Sequence, residues 1–132
     1  MIPAGEGSGT ITLTALADIF DEFNETVVIS IIDPVTNGTN GSTPQTVTLL
    51  DDDNPPTVNL VVGSEFIQEN GGTTTVMAKL SAQSALDVTV NLSVAGTAVE
   101  NQDYKVASTI LIPSGALSSV ISFTSLDDLL YE

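Results

Sequence analysis

The strongest constraint on this chain is a period of two. Asp87-Val88-Thr89-Val90-Asn91-Leu92-Ser93-Val94 alternates polar and apolar residues, and Thr10-Ile11-Thr12-Leu13-Thr14 does the same over a shorter run. Side chains of a strand point to opposite faces in turn, so such runs read as strands with one face wet and one buried. Similar runs cover 26–32, 45–50, 57–62, 73–80, 105–112 and 118–126. Gly, Asn, Ser and Pro cluster between them, as in Asn37-Gly38-Thr39-Asn40-Gly41, Asn70-Gly71-Gly72 and Pro113-Ser114-Gly115. No stretch keeps a helical apolar period over three turns. The expected fold class is all-β, an antiparallel sandwich.

An internal repeat reshapes that expectation. Ile2-Pro3-Ala4-Gly5 is echoed by Ile112-Pro113-Ser114-Gly115, and the gapless match continues to Glu22 and Glu132 at a constant offset of 110, with nine identities in 21 positions. That offset is the size of a small domain rather than of a solenoid unit. The chain reads as a window on a tandem array. Residues 1–54 would supply the three strands that end one repeat, and 55–132 the five that begin the next. Chance likeness between two amphipathic strands is the bland alternative.

Composition narrows the partners. Two Lys or Arg stand against 17 Asp or Glu, a net charge of −15. Nucleic acid and anionic lipid are poor partners for such a surface. The 42% hydrophobic content argues for a folded chain despite that charge. There is no His and no Cys, which removes Ser-His-Asp catalysis and thiolate or imidazole metal sites. With no nucleophile motif and no Trp to stack sugars, the expectation is a protein that is not an enzyme. No apolar run is long enough for a membrane helix, and Met1 to Gly5 shows no signal-peptide pattern.

The acids are grouped. They are Asp18, Glu22 and Glu25; Asp51, Asp52 and Asp53 just before Asn54-Pro55-Pro56; Glu69 ahead of Gly71-Gly72; Asp103 beside Tyr104; and Asp127, Asp128 and Glu132. If successive strands of a repeat are antiparallel, all these loops fall at one end of it. Carboxylates and carbonyls on flexible loops are what a hard cation needs, and calcium takes six to eight such oxygens. Taken singly, each group has a plainer reading: a solvated acidic linker for Asp51 to Asp53, turn chemistry for Glu69 and Asp103, a polar loop for the last set.

In combination, Asp51-Asp52-Asp53-Asn54-Pro55-Pro56, Glu69 before Gly71-Gly72, Gly96-Thr97-Ala98 ahead of Asp103-Tyr104, Ile112-Pro113-Ser114-Gly115 and Asp127-Asp128 with Glu132 resemble the Calx-beta domain. The resemblance spans essentially the whole chain, in two partial copies. It implies an immunoglobulin-like, Greek-key sandwich binding calcium at one end, found in exchanger regulatory regions and in large extracellular or cell-surface repeat proteins. It implies calcium ligands at Glu69, Asp103, Asp127, Asp128 and Glu132 in one copy. In the other they would be Asp18, Glu22, Glu25, Asp51, Asp52 and Asp53, with Ala17 where the second copy has Asp127. A role in adhesion or cell communication follows, with neighbouring repeats, head-to-tail copies and a cell-surface or matrix ligand as partners, and no direct membrane insertion. A cadherin-like repeat and a metal-free spacer are the alternatives.

Connectivity adds one expectation. If this one chain closed on itself as a single sandwich, the end of its last strand and the start of its first would lie at opposite ends, about 20 Å apart for strands of ordinary length. Asn54-Pro55-Pro56 spans only about 10 Å. The chain is therefore expected to form two partial sandwiches, or to complete itself head-to-tail between chains.

Overall fold

The computed structural model describes residues 2–127. All regular structure among them is β: β1 (Glu25–Ile29), β2 (Gln45–Leu49), β3 (Val58–Val62), β4 (Thr73–Leu80), β5 (Val88–Asn91), β6 (Tyr104–Val106), β7 (Thr109–Ile112) and β8 (Ser118–Ser125). Every strand pairing is antiparallel. The chain divides into two units. One holds the residues up to Ile19 together with Asn24–Leu50; the other holds Phe20–Phe23 and the chain from Asp51 onward.

The second unit has the core. Its larger sheet has the order β3-β4-β8-β6, and a two-stranded sheet pairs β5 with β7. Ala78 and Leu80 of β4 meet Ile110 and Ile112 of β7 in one buried cluster, with Val76, Val88, Val90 and Ile121 packed against it. Alternation explains the choice. Val88↔Ile112 and Val90↔Ile110 are cross-strand pairs turned to the core, whereas Thr89↔Leu111 and Asn91↔Thr109 turn away. Two sheets sharing one core is the two-layer packing of a β-sandwich. The run at 105–112 does not form one strand. It divides at Ala107-Ser108, so that β6 pairs with β8 and β7 pairs with β5. The chain thereby passes from one sheet to the other.

The first unit is a two-stranded sheet, β1 with β2. None of its described residues is buried. Residues 10–14, read above as a strand, form none. Their copy does: β8 lies between β4 and β6, and both its backbone edges are paired. Alternation gives residues 10–14 a face but not a neighbour, and a strand exists only where another backbone takes its N–H and C=O groups.

Candidate functional site

The last residues of β8 gather three of the acidic loops. Ser125 N donates to Gly72 O at 2.9 Å, and Leu126 N donates to Asp103 O at 2.7 Å. Ser125 Oγ lies 2.6 Å from Gln68 O and 3.1 Å from Gly72 O, and the Ser125 residue is only 7% exposed. Glu69, Asp103 and Asp127 therefore sit on segments fastened to one end of the larger sheet.

Each segment is locally shaped. The turn at 68–72 is closed by Gly72 N to Gln68 O at 2.9 Å and Gly71 N to Glu69 O at 2.7 Å. Gly71 has φ +84°, a region that suits glycine, and a Cβ at Gly72 would run into the Gln68 backbone, 2.7 Å from its nitrogen. Glu69 is left exposed at the tip. In the loop before β6, Val99 N donates to Asp103 Oδ2 at 2.6 Å, while Asp103 N donates to Val99 O at 2.9 Å. Asn101, at φ 65°, makes the left-handed corner, and its N–H donates to Tyr104 O at 2.8 Å. Tyr104 is 8% exposed and its ring stacks on Phe123 at 5.0 Å and 16°, which fixes the loop to β8. Asp127 follows directly and is exposed.

The opposite end of this unit carries the acids of the first copy that belong to it. Asp21 pairs with Ser84 in a short parallel bridge, and Ala85 N donates to Asp21 O at 3.1 Å. Glu22 N donates to Asp51 Oδ2 at 3.2 Å. Asp51 and Asp53 are half-buried, and Asp52 is exposed. Asp18 and Glu25 belong to the first unit, where Glu25 opens β1 opposite Leu49. The turn at Pro113-Ser114-Gly115 lies at this same end and carries its own acid. Ser114 N donates to Asp87 Oδ1 at 2.8 Å.

Glu69, Asp103 and Asp127 thus share one end of the second unit, while Glu22 meets Asp51 at the other; the two sets are apart. Asp128 and Glu132 lie outside the described residues. The donor chemistry suits a hard divalent cation, since every candidate ligand is an oxygen. Among the described residues, however, no three carboxylates stand close enough together to hold a metal ion. Asp103 and Asp51 each spend one carboxylate oxygen on a backbone N–H. Sequence reasoning missed Asp21 and Ser84. Asp21 stands where the second copy has Tyr131, so the repeat offered no hint of its role. No family model, no curated protein and no solved structure matches the chain, and the reading of these loops rests on its own residues.

Proposed function

We propose that the chain carries parts of two calcium-binding, immunoglobulin-like sandwich repeats of Calx-beta type, from a large extracellular or cell-surface protein working in adhesion or cell communication. The observation that carries this reading is the convergence of three acidic segments on the end of β8, through Gln68, Gly72 and Asp103. Glu69, Asp103 and Asp127 would hold the ion together with Asp128 and Glu132. Asp18, Glu22, Glu25 and Asp51 to Asp53 would serve the first copy. Bound calcium neutralises carboxylates that otherwise repel and links loops that are separate in sequence. At Asp51 to Asp53 that would stiffen the chain just before Pro55-Pro56.

Calorimetric titration of calcium into the full chain tests the reading. Binding is expected, and the pair Glu69→Gln and Asp127→Asn should weaken it by about tenfold or more, as the loss of charged ligands does in calcium loops. A silent titration would rule the reading out.

A second reading has its own support. The Asp103 carboxylate closes a turn and the Asp51 carboxylate caps a backbone N–H, which are roles that need no ion. In that case the chain is a structural spacer whose acids give solubility. Its melting temperature would not respond to millimolar calcium.

A further inference from the structure

The two layers of the second unit do not match in width. Four strands face two. In β3, Val58, Leu60 and Val62 pair with Leu80, Ala78 and Val76, so they share the core face with residues that are buried or half-buried. Yet they are 38%, 54% and 51% exposed, respectively. The residues of β5 and β7 pack on β4 and β8, and none of the residues packed in that cluster comes from β3. An apolar row of the core face is left exposed, beside a two-stranded sheet to which no other strand pairs among the described residues.

The first unit carries the matching piece. In the β1-β2 sheet, Glu25↔Leu49, Val27↔Val47 and Ile29↔Gln45 are opposed pairs, so Val27, Ile29, Val47 and Leu49 line one face, with Glu25 and Gln45 at opposite corners of it, while Thr26, Val28, Thr46 and Thr48 line the other. A two-stranded sheet of this size does not hold by itself, and this one has no buried residue. The 110-residue offset gives the relation between the pieces. Residues 8–15 are the copy of β8, and in the repeat that contains them they are followed by β1 and β2. Strands of the β1-β2 kind therefore belong to the same repeat as strands of the β3 to β8 kind.

We infer that the β1-β2 sheet of one copy of this chain docks by its Val27/Val47 face on the open β3 row of a second copy, widening the short layer. The contact uses different surfaces on the two partners. It is head-to-tail, and the dimer keeps one free surface of each kind, one on each copy, so assembly continues past the dimer. A net charge of −15 on each copy opposes association, and added salt should favour it. This self-association goes beyond the calcium reading and needs no ion.

Sedimentation velocity of the full chain, from micromolar to millimolar in EDTA and at low and high salt, tests it. The mass is expected to rise with concentration beyond that of a dimer, more so at high salt. Val27→Glu with Val47→Glu should abolish the rise, and so should Leu60→Glu with Val62→Glu, while circular dichroism stays unchanged. Should either pair unfold the chain, Val47→Thr and Leu60→Thr serve in their place. Mixing the two variants should give a one-to-one heterodimer and nothing larger, because each retains the surface the other lacks. A monomer under all conditions would overturn the proposal. So would a dimer lost on changing β3 but not β1-β2, which is the behaviour of two β3 edges pairing with each other.

Discussion

Ser84, only 1% exposed, places its hydroxyl 3.0 Å from the carboxylate of Asp21, 63 residues earlier in the chain. The same hydroxyl lies 3.3 Å from Asp21 O and accepts from Leu86 N at 3.0 Å. A buried hydroxyl that loses its acceptor keeps its desolvation cost, so the pair matters more than its size suggests. Asp21→Ala should destabilise the second unit by about 1–2 kcal/mol in urea unfolding. Asp21→Asn, which keeps an acceptor oxygen, should cost less than half of that. Equal losses for the two variants would show that the carboxylate makes no useful bond to Ser84.

Gly72 should tolerate no side chain. A Cβ there meets the Gln68 backbone rather than a flexible side-chain end, and Ser125 binds both residues of the pair. The turn must open to admit it. Gly72→Ala is expected to cost about 1–3 kcal/mol, in the range of backbone strain at a fixed position. Hydrogen exchange at Ser125 N–H, which Gly72 O accepts, should accelerate in the variant and report that opening directly.

Asp103 separates turn-making from metal binding. Its Oδ2 accepts from Val99 N, a role an asparagine oxygen can fill. In EDTA, Asp103→Asn should keep the stability of the parent to within about 0.5 kcal/mol, whereas Asp103→Ala should lose about 1 kcal/mol. Added calcium should then stabilise the parent more than the Asn variant, which lacks the charge. If both gain equally in thermal melts, Asp103 is a turn residue and nothing more.

Much of the fold was legible because strands announce themselves by alternation. The run at 73–80 is β4 to the residue, and 45–50, 57–62 and 118–126 are each within one residue of β2, β3 and β8 at both ends. What alternation does not carry is partnership. It could not say that 105–112 breaks at Ala107-Ser108 to serve two sheets, since Val106, Ile110 and Ile112 keep one parity across the break. The acidic loops were legible as a group at one end only within the second unit, where strand parity and the bonds to Ser125 and Leu126 agree. The bond from Ser84 to Asp21 was invisible, because nothing local marks a serine as the buried partner of a distant acid.

The same limit on alternation makes a sharp prediction about two isoleucines. Ile11 and Ile121 occupy one position of the repeat, within nearly the same local sequence. Ile121 is opposite Val76 and packs on the Ala78, Leu80, Ile110 and Ile112 cluster, while Ile11 is 85% exposed. Truncating a side chain costs the transfer energy of the lost groups and of any cavity left behind, and only a packed residue has either to lose. Ile121→Ala should therefore cost about 2–3 kcal/mol in denaturant unfolding, somewhat below a fully buried site. Ile11→Ala should stay within about 0.5 kcal/mol, as for exposed positions. Matching losses would mean that residues 8–15 pair with β4-type strands in solution, and that the strand missing from the first unit forms there after all.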